Sequence, residues 1–330
     1  MNKFTASEYK LFEQLVGLSQ PALKKAMAKF LKKYYAGDIF ETKEFIICEG
    51  DIPIALVAHM DTVFSTPASD VFYDTRKNVI WSPQGLGADD RAGVFAILRI
   101  VQSGLRPHII LTTDEEKGCL GAEKLGELQK PFEDLRYLIE LDRRGANDCV
   151  FYDCDNQEFT DYVSSFGFVE EFGTFSDICS LCEPWGIAGV NLSVGYKNEH
   201  SVSETLHVGH LLSTIEKVKV MLQQPLDNIP TFKFIPSPYS YANWLTATGF
   251  DSEREDYSGC GITMSCSCCK RHFMWEELIP VWSKEGYTQF RCSDCIVGAT
   301  WCESCGDAFE DSTKTKCPKC EKEKVTNGNH

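Results

Sequence analysis

The order of apolar and polar positions predicts strands that alternate with helices over the first two thirds of the chain. Apolar residues at helical spacing predict two helices within residues 6–36, separated at Pro21, and later helices at residues 92–101, 120–129 and 210–222. Strands are predicted at residues 45–48, 54–58, 79–81, 109–113, 137–141 and 188–194. This alternation is typical of a largely parallel sheet covered on both faces, so the predicted fold class is α/β, a three-layer sandwich.

Polar side chains follow several of these strands at the point where each strand ends. The strand at residues 109–113 runs into Asp114, Glu115 and Glu116, and the strand at residues 54–58 runs into His59 and Asp61. Strand ends and loops elsewhere add Asp89, Asp90, Asp142 and His200. Because ligands of open α/β sheets bind beyond the carboxyl ends of strands, we expect these side chains to share one site. The alternative for residues 114–116 is a helix start, where acids favour the helix dipole and Asp114 is the cap.

Composition argues against several classes of protein. The chain has 330 residues, 43% of them hydrophobic, which is enough for a substantial core. No apolar run approaches the roughly 18 residues that cross a bilayer, and the N-terminal residues lack the apolar core of a signal peptide. We therefore expect a cytoplasmic protein without membrane contact. The formal net charge of -15 also argues against non-specific binding to nucleic acid or anionic lipid.

The polar residues at the strand ends suit a divalent metal centre. Two histidines and several carboxylates are donors that zinc or a similar ion accepts. If Asp89, Glu116 and Asp142 are ligands beside two neutral histidines, their three negative charges exceed the charge of one divalent ion. Two ions and a bridging hydroxide bring the sum to zero, and an ion pair roughly 3.5–4 Å apart is the usual hydrolytic arrangement. The pattern therefore favours a metal-dependent hydrolase.

Spacing suggests roles for two further acidic residues. Asp61 lies two residues after His59 on an extended segment, so its carboxylate can orient the imidazole. Glu115 stands next to a candidate ligand, where it can take a proton from the attacking water and return it to the leaving amine. Both are therefore candidates for catalytic support without binding metal themselves.

These residues resemble the five successive signatures of the co-catalytic di-zinc exopeptidases. The matching segments, in chain order, are His59-Met60-Asp61, Gly87-Ala88-Asp89-Asp90, Asp114-Glu115-Glu116, Asp142 and His200. That family group includes bacterial leucyl-type aminopeptidases, aminoacylases and glutamate carboxypeptidases. The resemblance covers residues 40–223 approximately.

The resemblance implies two catalytic zinc ions and a role for each residue. Its implied metal ligands are His59, Asp89, Glu116, Asp142 and His200, with Asp89 bridging the ions. It also implies that Asp61 supports His59 and that Glu115 is the general base. In that family group the peptide bond after the bridging aspartate is commonly cis, so we expect a cis bond between Asp89 and Asp90.

The chain length between the last two candidate ligands favours an aminopeptidase that acts on small peptides or amino-acid amides. Fewer than sixty residues separate them, which leaves no room for the lid domain of aminoacylases and carboxypeptidases. A free amine suits a centre rich in carboxylates, whereas a free carboxylate needs a cation, for which Arg143 and Arg144 are the candidate substrate-binding residues. The alternative for both arginines is pairing with Asp153 or Asp155. Two other functions stay open: a lid-less amidohydrolase or carboxypeptidase-like enzyme on an N-acyl or modified amino acid, and a peptidase-like scaffold that binds a partner.

Ten of the 16 cysteines fall within residues 260–320. Eight of them form C-x-x-C pairs, namely Cys266 with Cys269, Cys292 with Cys295, Cys302 with Cys305, and Cys317 with Cys320. This spacing resembles paired zinc ribbons and predicts two structural zinc ions, with Cys268 or His272 as a substitute ligand. A disulfide framework is the alternative.

The chain is therefore expected to have three segments. A di-zinc peptidase-like α/β domain occupies residues 1–223, a connector whose aromatic residues pack on that domain occupies residues 224–259, and a double zinc ribbon occupies residues 260–330. Residues 260–324 hold nine Lys and Arg against ten Asp and Glu, and each four-thiolate zinc site adds negative charge. Since nucleic-acid binding requires a basic surface, we expect the ribbons to contact a protein partner or to gate the substrate.

Overall fold

The computed structural model describes residues 3–237 and, further along the chain, residues 263–265, 268, 272–274, 278–282, 288–292, 295–296, 300–301, 308–309 and 315. The chain divides into two compact units, Met1–Glu255 and Asp256–His330. The three-segment division expected from the sequence stays a prediction. Within the described residues, no helix is long and apolar enough to cross a membrane.

The first unit contains helices and strands in regular alternation. Its helices are α1 Ala6–Val16, α2 Gln20–Tyr34, α3 Ala88–Gln102, α4 Leu120–Gly126, α5 Gln157–Ser164, α6 Asp177–Trp185 and α7 Val208–Leu222. Its strands are β1 Ile39–Glu41, β2 Phe45–Cys48, β3 Ile52–His59, β4 Phe72–Asp74, β5 Val79–Trp81, β6 Pro107–Thr112, β7 Tyr137–Arg143, β8 Asp148–Val150, β9 Val169–Glu170, β10 Gly189–Ser193, β11 Tyr196–Lys197 and β12 Thr205–His207.

Local sequence signals start the two N-terminal helices. Thr5 caps α1 with a capping box, because its side chain accepts from the Glu8 N–H and the Glu8 side chain accepts from the Thr5 N–H. Pro21 stands in the first turn of α2, where its missing N–H costs nothing. Both predicted helices are confirmed.

An eight-stranded sheet forms the centre of the first unit, in the order β1-β2-β6-β3-β7-β10-β8-β9. Strands β6, β3, β7 and β10 pair in parallel, whereas β2 and β8 pair antiparallel to this group at either side. Every residue of β3 and β6 is buried, as in parallel strands that are covered on both faces. The predicted α/β class with a largely parallel central sheet is confirmed.

Successive residues of the central strands face two different apolar layers. Leu56 and Ile109 belong to a large cluster with side chains of α1, α2, α3 and α7. Val57 and Ile110 belong to a smaller cluster with side chains of α4 and α6. Because neighbouring side chains on a strand point to opposite faces, helices lie on both sides of the sheet, which makes three layers.

A second, antiparallel sheet in the order β11-β12-β5-β4 stands beside the carboxyl ends of the central strands. Its first pair, β11 and β12, is connected by residues 198–204. This loop carries His200, so the small sheet brings that residue to the edge where β3 and β7 end.

Several short elements have no counterpart in the sequence-based prediction. They are β1, β4, β8, β9, β11, β12, α5 and α6. Each of these strands has two or three residues, too few to show alternation, and none of them is a run of three apolar residues like β5. Helix α5 buries only Phe159 and Val163, and α6 is a nine-residue helix with Pro184 near its end, so neither shows an extended helical period.

The segment after α7 packs on the first unit through an aromatic residue. The Phe232 ring lies within 6 Å of the Tyr137, Phe159 and Tyr162 rings, at centroid distances of 5.8, 4.8 and 5.2 Å. The backbone of residues 232–235 bonds to residues 136, 155, 186 and 188. This part of the expected connector belongs to the first compact unit.

The second unit contains short paired strands. They are β13 Thr263–Ser265, β14 His272–Met274, β15 Leu278–Trp282, β16 Thr288–Cys292, β17 Thr300–Trp301 and β18 Ala308–Phe309. Strands β13 and β14 form a two-stranded sheet, and the others form a sheet in the order β16-β15-β18-β17. Val281, Ala308 and Phe309 are buried.

Most of the predicted zinc-ribbon ligands fall outside the described residues. Cys292 ends β16 and Cys295 follows in a turn, whereas the structure does not describe Cys266, Cys269, Cys302, Cys305, Cys317 and Cys320. Of the two substitute ligands, Cys268 is exposed and His272 begins β14. The double zinc ribbon therefore stays a prediction.

Candidate metal centre

The carboxyl ends of three adjacent parallel strands carry the residues of the candidate metal centre. His59 is the last residue of β3, and Asp142 is the last but one of β7. Glu115 and Glu116 begin the 3-10 turn Glu115–Lys117, three residues after the end of β6. Since β3 pairs in parallel with both β6 and β7, these ends meet at one edge of the sheet.

The turn after β6 combines the two interpretations of residues 114–116. Asp114 stands at the N-terminus of this 3-10 turn, in a left-handed conformation with φ 56°, but its side chain caps no backbone N–H there. It pairs instead with Lys117 Nζ at 2.7 Å. The chain thus starts a helical turn at Asp114, as the alternative interpretation of residues 114–116 predicted. The carboxylates of Glu115 and Glu116 nevertheless face the centre.

Asp89 lies between the two histidines of the centre. Its Oδ1 is 3.1 Å from His59 Nε2, and its Oδ2 is 3.2 Å from His200 Nε2. Asp142 Oδ1 lies 3.6 Å from His59 Nε2 on the first side, and Glu116 Oε2 lies 3.0 Å from His200 Nε2 on the second. The five residues thus form two groups that share one carboxylate.

The donor set of this centre fits divalent cations. Asp61 Oδ1 is 3.2 Å from His59 Nδ1, and the Asp61 carboxylate also accepts the N–H groups of Glu115 and Glu116 at 3.0 and 3.1 Å. With a proton on Nδ1, the lone pair of His59 Nε2 points at carboxylate oxygens. Acceptors that converge in this way require a cation between them.

Two further observations agree with a cation site. Donor atoms of His59, Asp89 and Glu116 all lie within 4.8 Å of one another. Glu116 Oε1 is buried and has no hydrogen-bond partner among the described residues. A buried carboxylate oxygen without a donor is costly unless a cation neutralises it.

The electrostatics of the centre reflect its excess of carboxylates. Burial alone would lower the pKa of His59, but the Asp142 carboxylate and the bonds to Asp61 and Asp89 raise it well above its ordinary value. Hydrogen bonds that His200 donates to the Asp89 and Glu116 carboxylates raise its pKa to about 11. Burial raises the pKa of Asp142 to about 7. The cluster therefore binds positive charge strongly, whether as protons or as metal ions.

Glu115 lies beside the cation site. Its Oε2 is 3.9 Å from His59 Nε2, longer than the distances of Asp89 and Asp142 to the same nitrogen. Burial, with the Asp142 and Asp177 carboxylates nearby, raises the pKa of Glu115 to about 9. A carboxyl group with a raised pKa next to a metal centre is suited to accept and return a proton.

Three side chains that the sequence did not indicate support the ligands. Glu204 is 1% exposed and accepts the N–H groups of Gly87 and Asp89 at 2.6 and 2.9 Å. The Tyr196 hydroxyl donates to Asp142 Oδ1 at 3.1 Å, and the Ser176 hydroxyl donates to Asp142 Oδ2 at 3.3 Å. Glu204 and Ser176 follow no predicted strand. Tyr196 stands two residues after the strand predicted at residues 188–194, but a tyrosine there is not one of the metal-ligand types that the pattern singled out.

The backbone at Asp89 has the form that the resemblance implied. The peptide bond between Asp89 and Asp90 is cis. Helix α3 begins here and packs closely on β7. A Cβ atom at Gly93 would lie 2.1 Å from the carbonyl oxygen of Leu141, so only glycine fits at this position. Glycine at this position therefore lets the helix that carries Asp89 approach the strand that carries Asp142.

The two candidate substrate-binding arginines make contacts other than those considered from the sequence. Arg143 Nη2 donates to the Phe172 carbonyl at 2.9 Å, and Arg144 Nη1 pairs with Glu199 Oε1 at 2.7 Å. Pairing with Asp153 or Asp155, the alternative from the sequence, is wrong. Arg143 is the last residue of β7, and Arg144 is the first residue of the bend that follows it.

A polar pocket of about 610 Å³ is formed by residues that follow β7 and by β11 with the loop after it. Its lining consists of Arg144, Gly145, Ala146, Asp148, Lys197, Asn198 and Glu199. Two of these residues flank candidate ligands in sequence, since Arg144 follows Asp142 by two positions and Glu199 precedes His200. Its charged lining contains two cations and two anions.

The part of the chain that carries most of the candidate centre matches a known peptidase family. Residues 48–166 match Peptidase family M28. This segment carries His59, Asp89, Glu115, Glu116 and Asp142. A comparison with curated protein sequences found no match.

Solved structures of peptidases are similar in fold. Aminopeptidase PepT from Bacillus cereus ATCC 10987 is 15% identical, with a TM-score of 0.52, over 65% of this chain and 97% of that chain. A tripeptidase from Staphylococcus aureus is 14% identical, with a TM-score of 0.53, over 66% of this chain and 97% of that chain. Aminopeptidase APDkam598 from the archaeon Desulfurococcus kamchatkensis is 14% identical, with a TM-score of 0.50, over 69% and 98%. At these identities the similarity shows the fold. The family match and the fold together support a metallopeptidase, a metal-dependent hydrolase of peptide bonds.

Proposed function

We propose that the protein is an aminopeptidase that uses two zinc ions to hydrolyse small peptides from a free amino end. One observation carries the proposal: the two oxygens of Asp89 face different histidines, at 3.1 and 3.2 Å. His59 and Asp142 would hold one ion, His200 and Glu116 the other, and Asp89 both. Bound there, two divalent ions lower the pKa of water and polarise the scissile carbonyl.

The protein's own residues then orient groups and move protons. Asp61 holds the Nδ1 proton of His59 and so directs Nε2 into the centre. Glu115, with its Oε2 facing the same nitrogen, takes the proton from the attacking water and delivers it to the leaving amine. Tyr196 and Ser176 donate to the two oxygens of Asp142 and fix that carboxylate.

The charges of the centre favour a substrate with a free amine. An ammonium group is attracted by the many carboxylates, whereas a substrate carboxylate is repelled unless an arginine meets it. Both arginines near Asp142 are engaged, Arg143 with a carbonyl and Arg144 with Glu199. The solved structures of similar fold are named as aminopeptidases and a tripeptidase, which also supports a substrate with a free amine.

A lid-less amidohydrolase or carboxypeptidase-like enzyme is the second candidate, favoured by the polar pocket. Arg144 and Lys197 line it, and Lys197 makes no ion pair with another described residue. A substrate carboxylate that displaced Glu199 from Arg144 would find two cations there. The third possibility, a scaffold without activity, is disfavoured because all five ligand candidates and Glu115 are present.

Hydrolysis of paired substrates tests the proposal. The zinc-loaded protein should cleave amino-acyl anilides with a free amine, and it should leave N-acetylated versions intact. Arg144→Ala serves as the matched variant, because an aminopeptidase should retain its activity on the free-amine series. Cleavage of N-blocked substrates with a free carboxylate, lost in Arg143→Ala or Arg144→Ala, would instead establish the amidohydrolase.

For the second unit, we propose a double zinc ribbon that contacts a protein partner or gates the substrate, in a cytoplasmic protein. The spacing of its C-x-x-C pairs and the near balance of its charges support this.

A further inference from the structure

The thiol of Cys119 lies against the carboxyl group of Glu115. Cys119 Sγ is 3.4 Å from Glu115 Oε1, within the range of a sulfur hydrogen bond. Its backbone adopts a left-handed conformation with φ 54°, and its N–H donates to the Glu115 carbonyl at 2.8 Å. This conformation stands at the N-terminus of α4 and is uncommon for a residue other than glycine. The tight turn brings residue 119 back onto residue 115.

The chemical state of this thiol suits a hydrogen-bond donor. Cys119 is 0% exposed, so reagents and solvent do not reach it in the folded protein. Burial, reinforced by Asp177, Glu115 and Glu140, raises its pKa far above the ordinary value for cysteine. The sulfur therefore carries its proton and has a single S–H to donate.

A second buried acid, Asp177, interacts with the thiol. Asp177 is 0% exposed, and its Oδ2 accepts the hydroxyl of Thr112 at the end of β6. Burial raises the pKa of Asp177 to about 6, and His59, Thr112 and Cys119 oppose that rise. Asp177 Oδ1 makes no hydrogen bond with a described residue, whereas Glu115 Oε1 lies within hydrogen-bond distance of the thiol, so the single S–H of Cys119 is directed to Glu115.

We infer that Cys119 is a positioning residue for Glu115. Its S–H donates to Oε1, so the carboxyl group of Glu115 is held with Oε2 towards the metal centre, where it lies 3.9 Å from His59 Nε2. Without the thiol, nothing else among the described residues bonds to this carboxyl group by a side-chain hydrogen bond, and it can rotate away from the attacking water. The inference rests on the proposed hydrolase function of Glu115.

The competing explanation is packing. Cys119 belongs to the smaller apolar cluster, together with Ala122 and Ile178, so it fills space in the layer of α4 and α6. If Cys119 only fills space, Cys119→Ala should lower the stability of the fold. Cys119→Ser should lower it at least as much, because it places a hydroxyl group in an apolar cluster. A positioning role predicts the reverse order for catalysis, because the serine hydroxyl still donates.

Kinetics of the full-length, zinc-loaded protein separate the two roles. Cys119→Ala should lower kcat on the order of 10-fold, the usual effect of losing one buried hydrogen bond, and leave KM within about twofold. Cys119→Ser should restore most of the loss. Cys149→Ala is the matched control, since it removes an equally buried thiol from β8, outside the centre.

A double-mutant cycle then shows whether the effect passes through Glu115. In a Glu115→Gln background, adding Cys119→Ala should lower kcat no further, because the group that the thiol positions is already disabled. An equal additional loss in that background would overturn the inference, and so would an unchanged kcat in Cys119→Ala.

The S–H stretching band of Cys119 provides a readout that does not depend on activity. The difference between infrared spectra of the wild type and Cys119→Ala isolates this band among the sixteen cysteines. It should shift to higher frequency in Glu115→Ala, as the acceptor is lost, and stay in place in Glu199→Ala. A band that does not respond to Glu115→Ala overturns the contact. Absence of hydrolysis by the wild type would instead overturn the proposed function, so the two failures are distinct.

Discussion

At the scale of single residues, the centre depends on Asp89 and on the neighbours that hold its backbone. Both oxygens of Asp89 are directed at histidines, and its N–H is bonded to Glu204. In the proposed mechanism, proton transfer and metal binding belong to adjacent residues of one turn, since Glu115 faces His59 and Glu116 faces His200. Substitutions at these two positions should therefore have different effects.

Glu115→Gln should lower kcat by a factor on the order of 10²–10⁴, the usual contribution of general acid–base catalysis. Metal content should stay unchanged, because Glu115 lies outside the group of donor atoms formed by His59, Asp89 and Glu116. Elemental analysis and turnover of the same samples measure both quantities. Glu116→Gln is the matched variant and should lose metal as well as activity. If Glu115→Gln also lost metal, the two roles would be exchanged.

Glu204→Ala should destabilise the metal-free protein by about 2 kcal/mol or more. It leaves the buried N–H groups of Gly87 and Asp89 without their acceptor, and an unsatisfied buried donor costs about 1–3 kcal/mol. Urea unfolding of the metal-free variant measures this change. Glu123→Ala, at an exposed position of α4, is the control and should be nearly neutral. A small effect at position 204 would show that water or a shift of the loop replaces the carboxylate.

At the scale of elements, the parallel strands have a double task, since they form the core and end in ligands. β6 illustrates this: its second residue is a buried histidine, His108, and the strand leads into the turn that carries Glu115 and Glu116. His108 Nδ1 accepts the Gly50 N–H at 3.0 Å, and Nε2 donates to Asp134 Oδ1 at 3.0 Å. The ring also stacks on Phe132 at 4.1 Å. These bonds define a neutral imidazole.

The free energy of unfolding should fall in mild acid, because protonation of His108 is less favourable in the folded protein than in the unfolded chain. Burial lowers its pKa from the ordinary 6.5, although Asp134 opposes the effect. As the pH falls, the unfolded chain therefore binds the proton first. The contribution of His108 is fully present above roughly pH 6.5 and is lost as the pH falls through the folded-state pKa.

Comparison with His108→Asn isolates this contribution from the many carboxylates. The free energy of unfolding of the metal-free protein is measured by urea titration between roughly pH 7.5 and 5 for both proteins. The wild type should lose more stability across this range than the variant, which has no imidazole to protonate. Parallel pH profiles would show that His108 accepts a proton equally in both states.

At the scale of the whole molecule, two kinds of metal site are expected in one chain. The carboxylate-rich centre of the first unit would hold two ions, and the eight paired cysteines of the second would hold two more. Thiolates bind zinc more tightly than carboxylates do, and a double ribbon of this size would depend on its metal for folding. Mild chelation should therefore abolish activity before it releases the structural ions.

Replacement of one thiolate pair in the full chain tests the expected number of zinc ions. Cys317→Ser combined with Cys320→Ser should reduce the zinc content from four ions to three, while the activity on a small free-amine substrate stays close to that of the wild type. Elemental analysis of purified protein gives the count. Cys48→Ser combined with Cys154→Ser is the control, because both thiols lie in the first unit outside the centre. An unchanged zinc content in the Cys317/Cys320 variant would contradict the ribbon.

The sequence by itself determined the fold class and the candidate ligands. Strands covered on both faces must be continuously apolar, so β3 and β6 are visible as runs, and the polar residues that follow them must stand at the strand ends. Helix α1 carries its own capping box, which is equally local. The sequence did not predict helices α5 and α6, nor strands β1, β4, β8, β9, β11 and β12. These elements contain too few periodic positions to show one buried face.

Only the tertiary structure decided how the ligands are divided and what supports them. The pairing of His59 with one oxygen of Asp89 and of His200 with the other depends on the small sheet that carries the loop after β11. Glu204 is 115 residues from Asp89 in sequence, so no local spacing reveals their bond. Arg144 likewise pairs with Glu199, 55 residues further along the chain, and not with an acid nearer in sequence. A strand end fixes the chemistry that is available there, but long-range packing decides which atoms face each other.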